Sequence, residues 1–62
     1  MQSRTEEYKV KFWIRNEEGF MEQRVESFFF FSKNKHKQAE KECINKYRGI
    51  GKKIEIISVI YQ

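Results

Sequence analysis

The chain has 62 residues, a single cysteine, a single histidine, no proline and a net charge of +4. That length is one domain, 1–62, near the lower limit for folding alone, where only about 60% of the unfolded surface is buried. The lone Cys43 excludes an internal disulfide, and Cys43 with His36 is too few ligands for a structural zinc site.

Of the usual supports for so small a chain, association with a second subunit is the one left open. A single unpaired thiol fits a reducing, cytoplasmic setting. The residues show no basic-then-apolar leader pattern, so no export signal is expected, and no apolar run approaches the roughly 20 residues needed to span a bilayer. The charge is uneven. From Lys33 to Lys53, eight basic residues face only Glu40 and Glu42, a local sum of +6, whereas five basic and six acidic residues in the first 32 sum to −1. Such asymmetry points to an acidic partner, against the plainer alternative of a solvated lysine-rich helix face.

In chain order, residues 1–5 are polar and expected to fray. From Glu7 to Arg15 the pattern alternates: Tyr8, Val10, Phe12 and Ile14 fall on one face, Lys9, Lys11, Trp13 and Arg15 on the other, which predicts a half-buried strand. Asn16-Glu17-Glu18-Gly19 reads as a hairpin turn, with Asn opening it and Gly supplying positive φ near its end. Two registers compete. A three-residue loop with a glycine bulge sets Ile14 by Glu22 and Phe12 by Arg24, placing charge on the core face. A four-residue loop closed by Arg15 and Phe20 sets Ile14 by Met21, Phe12 by Gln23 and Val10 by Val25. The apolar match favours the second.

A second strand is then predicted from Phe20 to about Phe31. In the favoured register Met21, Val25, Phe29 and Phe31 join the covered face. Phe20, Glu22, Arg24, Glu26, Phe28 and Phe30 lie on the other. The run Phe28-Phe29-Phe30-Phe31 puts two rings on each face in any register, and a bulge near Glu26-Ser27 would exchange the pairs.

Ser32 is the expected N-cap of a helix from Lys33 to Arg48, with Gly49 as its left-handed terminator. His36, Ala39, Cys43 and Tyr47, with Ile44 beside them, form a narrow apolar stripe. A last strand is predicted from Lys53 to Gln62, with Ile54, Ile56 and Ile60 on one face and Ile57, Val59 and Tyr61 on the other. The result is an α+β domain of β-β-α-β type. Its three-stranded sheet has order 2-1-3, with the first strand central and antiparallel to both neighbours and one helix on one face.

No pattern in the chain points to catalysis, a cofactor, a bound metal or a small-molecule substrate. Gly49-Ile50-Gly51 follows a helix, whereas a dinucleotide loop follows a strand. His36 and Cys43 stand two helical turns apart, too far for a hydrogen-bonded pair. Glu17 and Glu18 sit at a turn expected to be exposed and are read as solvated side chains rather than paired catalytic acids.

Three constellations remain. Trp13, Phe20, Phe28, Phe30, Ile57, Val59 and Tyr61 would form an aromatic face that one helix cannot cover, and a contiguous patch of that kind marks a protein interface, with itself or with another protein. Lys9, Lys11 and Arg15 interleave with Trp13 on the same face, as in sheets that stack single-stranded nucleic acid, although Glu22 and Glu26 there would repel phosphate. Lys33, Lys35 and Lys37 crowd the helix start, where free N–H groups favour anions.

The short length, the Lys/Ile/Asn/Glu bias, the lack of proline and the closing KKIEIISVIYQ strand resemble small accessory proteins of bacteriophages and mobile elements of low-GC Gram-positive bacteria. The resemblance implies binding and blocking of a host or defence protein, or binding of nucleic acid. The expected function is thus a non-catalytic protein-binding module. The alternative is a small basic nucleic-acid-binding protein using the lysine-rich helix start.

Overall fold

Alternation makes the first strand the spine of the molecule. In the computed structural model, which describes residues 5–61, β1 spans Glu6–Arg15, β2 Met21–Phe30, α1 His36–Arg48 and β3 Ile54–Tyr61. The expected fraying of residues 1–5 falls almost wholly on 1–4, outside the described residues, as does Gln62 of the expected last strand. The sheet has order β2-β1-β3, with β1 antiparallel to both neighbours. Tyr8, Val10, Phe12 and Ile14 are buried beneath Ala39, Cys43 and Tyr47 of α1. Each large apolar side chain so covered stabilises the fold by roughly 1.5–3 kcal/mol.

The first hairpin takes the other register. Ile14 lies opposite Glu22, Phe12 opposite Arg24 and Val10 opposite Glu26, so the four-residue loop is corrected to the three-residue loop with a glycine bulge. Turn chemistry outweighs the apolar match. The Asn16 side-chain Oδ1 accepts from the backbone N–H of Glu18 at 2.9 Å and of Phe20 at 3.0 Å. The Asn16 N–H donates to the Phe20 carbonyl at 2.7 Å, the Gly19 N–H donates to the Asn16 carbonyl at 3.0 Å, and Gly19 holds φ at +90°. This is a type I turn followed by a left-handed bulge residue. The charge it puts on the helix side is tolerable because α1 packs over β1 and β3 and leaves the β2 flank at the rim. There Arg24 donates to Glu22 at 2.6 Å, and Glu26 accepts from Lys46 at 2.8 Å and from the Tyr47 hydroxyl.

The last strand also departs from simple alternation. Phe12 pairs with Ile56 but Lys11 with Ser58, leaving Ile57 as the extra residue of a β-bulge. Past the bulge the faces exchange: Val59 lies opposite Val10, and the Tyr61 ring stands 5.0 Å from that of Tyr8. Without the bulge Ser58 would face the core and Val59 would face outward. Ile54, Ile56 and Val59 instead pack together against the core.

The helix begins three residues later than expected. Asn34 adopts φ 62°, a left-handed conformation that asparagine tolerates, and interrupts helical winding. The N-cap is Lys35, not Ser32, and it makes no side-chain capping bond. The Tyr8 hydroxyl serves both sides of the break, donating to the Ser32 carbonyl and accepting from the Lys35 N–H, each at 3.2 Å. At the other end Gly49 remains helical, and Gly51, at φ +75°, is the left-handed residue. Bonds from the Lys52 N–H to the Tyr47 carbonyl at 2.8 Å and from the Gly51 N–H to the Arg48 carbonyl at 3.0 Å complete a Schellman closure.

Candidate functional site: the helix-free sheet face

The two register changes redraw the face opposite the helix. β1 contributes Glu7, Lys9, Lys11, Trp13 and Arg15, as its alternation requires. β2 contributes Met21, Gln23, Val25, Ser27 and Phe29, paired in turn with Arg15, Trp13, Lys11, Lys9 and Glu7. β3 contributes Ile60 opposite Lys9, Ser58 opposite Lys11 and Glu55 opposite Trp13, with Ile57 exposed at the bulge.

Of the seven residues expected on this face, Trp13 and Ile57 are exposed as predicted. Phe28, Phe30 and Val59 are corrected: they lie on the helix side, half-buried against the core, with the Phe30 ring edge-on to Tyr8 at 5.6 Å. Tyr61 is corrected to the same side, where its ring meets Tyr8 and His36 and its hydroxyl donates to Glu6. Phe20 closes the turn and is exposed at the end of the hairpin. Met21, Val25 and Phe29, which the four-residue loop would put on the covered side, point outward instead and are 45%, 56% and 60% exposed; Phe31, which that loop would also cover, is 77% exposed. The signal that could have found them was the Asn-x-x-Gly sequence of the turn, which specifies the three-residue loop.

The face is therefore a mosaic. Trp13, Met21, Val25, Phe29, Ile57 and Ile60 are large and apolar, each at least 37% exposed. Lys9, Lys11 and Arg15 run up its middle on β1, with Glu7 and Glu55 as the acids of the grid. Glu22 and Glu26, which were expected to repel phosphate here, sit on the opposite side. Among the described residues nothing packs over this face, because the one helix lies across β1 and β3 on the other.

Electrostatics concentrate at the helix-side rim of β2. Hydrogen bonds from Arg24 and then Asn16 hold the Glu22 carboxyl below its ordinary value. Burial works against the charge of Glu26, yet the bonds from Lys46 and Tyr47 together outweigh it and keep that carboxyl low as well. Cys43 is fully buried, and burial, reinforced by the nearby Glu26 charge, pushes its thiol up to about 11. Such a thiol is a packing group. It stands on the helix stripe with Ala39 and Tyr47, while His36 is exposed and stacks edge-on to Tyr8 at 5.2 Å.

The lysine-rich helix start is a looser feature. Lys33 and Lys37 are exposed and Lys35 is half-buried, with the Lys35 N–H already taken by Tyr8. Among the described residues no three His, Cys, Asp or Glu side chains converge in a way that could hold a metal ion, and no helix is long and apolar enough to cross a membrane. Comparison of the chain with protein-family models, with curated proteins and with solved structures yields no match.

Proposed function

We propose that the chain is a non-catalytic binding module that engages another protein through its helix-free sheet face. One observation carries this: six large apolar side chains stand exposed on one side of a very small domain. Burying the remainder of each against a partner would contribute on the order of 5 kcal/mol in all. That is comparable to the whole folding stability expected of a chain this size, roughly 0.05–0.15 kcal/mol per residue. The basic stripe of Lys9, Lys11 and Arg15 between the apolar flanks favours a partner surface that is apolar with acidic groups, and would speed its approach. Blocking a target by occupying such a surface is also what the compositional resemblance to phage accessory proteins implies.

The test is affinity capture from nuclease-treated lysate with the wild-type chain and with Val25→Asp and Phe29→Asp, both on the bare face and away from the core. A protein retained by the wild type and released by both variants, then bound again as a purified component, supports the reading. Equal retention by the variants would sink it. Trp13 is the only tryptophan, so a blue shift of its emission on binding reports directly that the face is covered.

A second reading has its own support. With Glu22 and Glu26 turned away, Trp13 and Phe29 share the face with three cations, a composition suited to stacked bases and phosphates. Gel shifts with single-stranded DNA and RNA decide it. Binding that falls steeply between roughly 50 and 200 mM salt and is lost in Trp13→Ala would favour nucleic acid over protein; Lys33, Lys35 and Lys37 would then be expected to add to the salt slope.

A further inference from the structure

Among the described residues both outer strands of the sheet have an unpaired edge, and the two edges differ. β3 is interrupted by the bulge at Ile57 and follows two lysines, features that discourage pairing. β2 runs Met21–Phe30 without bulge, proline or lysine, and among the described residues it pairs only with β1. Its sequence is self-complementary about one residue. In an antiparallel pair of two β2 strands related by a two-fold axis through Val25, opposite residues share a face. Arg24 of each copy then meets Glu26 of the other, Met21 meets Phe29, Gln23 meets Ser27 and Val25 meets itself, while Glu22 falls opposite Phe28.

Neighbouring registers fail. Centring on Arg24 sets Arg24 against Arg24 and Glu22 against Glu26. Centring on Glu26 sets that carboxylate against its own copy. Centring on Gln23 pairs Glu22 with Arg24, but only Met21–Val25 of the strand overlap. Centring on Ser27 sets no like charges opposite but leaves Glu26 against Phe28 and Arg24 against Phe30, without a charge partner. Like charges directly opposite are destabilising and opposite charges favourable, so of these registers the one centred on Val25 alone pairs Arg24 with Glu26 along most of the strand. Arg24 is 45% exposed and bonds Glu22 through Nε while also interacting with Tyr47, and Glu26, 23% exposed, already accepts from Lys46 and Tyr47, so the cross-edge pair would share these groups with their partners inside the subunit.

We propose that two copies of this chain pair through their β2 edges, antiparallel and centred on Val25, to make a six-stranded sheet of order 3-1-2-2-1-3. The occupant of the edge is a second copy because the charge and size match is to the strand itself. The pairing goes beyond the face proposal and stands apart from it. It would gather Met21, Val25 and Phe29 of both copies into one apolar stripe at the middle of the enlarged face, flanked on each side by the cations of β1.

The experiment is sedimentation or light scattering across a dilution series with the wild type, Arg24→Glu, Glu26→Arg and an equimolar mixture of the two variants. The wild type is expected to dimerise. Each single variant puts like charges opposite at two places in the dimer and is expected to associate roughly tenfold or more weakly. The mixture restores opposite charges at both places and is expected to recover a dimer containing one of each. A wild type that stays monomeric at all concentrations overturns the proposal. So do single variants that dimerise like the wild type, and a mixture that gains nothing.

Should either variant fail to fold, oxidation of Val25→Cys reads the same geometry. Directly opposite Cα atoms lie about 4.5–5.5 Å apart, within disulfide reach. The same residue placed at Ser27 would stand about 13 Å from its counterpart along the strands. Rapid cross-linking of Val25→Cys but not of Ser27→Cys supports the register; the reverse, or neither, overturns it. Cys43 is buried and does not compete.

Discussion

The two strands flanking β1 settle their registers by different means. On β3 the covered face is nearly continuous in apolar side chains: Ile54, Ile56 and Val59 pack on the core, and Tyr61 stacks on Tyr8. The strand inserts a bulge so that Val59, and not Ser58, meets Val10. On β2 the same face carries Glu22, Arg24 and Glu26 before Phe28 and Phe30, a choice that burial alone would reject. The difference follows from where the helix lies. Under α1 a polar side chain would lose water without recovering its hydrogen bonds, so packing decides. At the rim the charges keep water and find partners in Lys46 and Tyr47, so the cost falls and the turn decides.

That contrast can be broken at several points. The largest effect is expected at Phe12, fully buried beneath the helix at the join of the two halves and 5.2 Å from the Tyr47 ring. Phe12→Ala should cost about 3–5 kcal/mol, enough to leave so small a domain unfolded by circular dichroism at room temperature; a retained cooperative melt would mean that the helix-covered core is not where the stability resides. Ile56→Ala, on the packed β3 side, should cost about 2 kcal/mol, whereas Val25→Ala on the outward face of β2 should stay within about 0.5 kcal/mol of wild type. Equal losses in urea titrations would erase the distinction between the strands.

Asn16→Ala removes the side-chain acceptor for two backbone N–H groups in the turn. A loss of about 1–2 kcal/mol is expected, together with weakened protection of the Phe20–Glu22 amides in hydrogen exchange. Unchanged stability would mean that something other than turn chemistry selects the β2 register.

Acid sharpens the same point. The Glu26 carboxyl is held below its ordinary value in the folded chain, so its contribution is present above the unfolded pKa, near 4.5, and is lost as pH falls through the lower folded value. The melting temperature should therefore drop below about pH 4.5, and Glu26→Gln should be less stable than wild type at pH 7 and show a shallower drop. Parallel pH profiles for the two proteins would remove Glu26 from the account. The smallest effect is on reactivity: the buried, high-pKa thiol of Cys43 should react with a bulky reagent only as fast as the native state opens. Modification at the rate of a free thiol would place it outside the core.

Much of the architecture could be read from residues alone. The alternation of Tyr8, Val10, Phe12 and Ile14, the helical spacing of Ala39, Cys43 and Tyr47, and the isoleucine-rich end determined the β-β-α-β order and the buried residues of β1 and α1, because each follows from a period of 2 or 3.6 within a single element, and the crossover rule placed β1 at the centre. The candidate face was legible only on β1. Its other two strands depended on single-residue offsets, one at the Asn16–Gly19 turn and one at the Ile57 bulge, and in a structure of period 2 each offset exchanges every side chain beyond it.

The helix ends tell the same story at smaller scale. Ser32 has the chemistry of an N-cap, but Tyr8, twenty-four residues earlier, supplies the hydroxyl that closes the break before the helix. No local pattern contains that contact. What the amino-acid order determined was which segments become strand or helix and which side of the central strand goes inside. What only the tertiary structure decided was which side of each neighbour goes with it, because that depends on where the helix comes to rest and on how much charge the uncovered rim can leave in water.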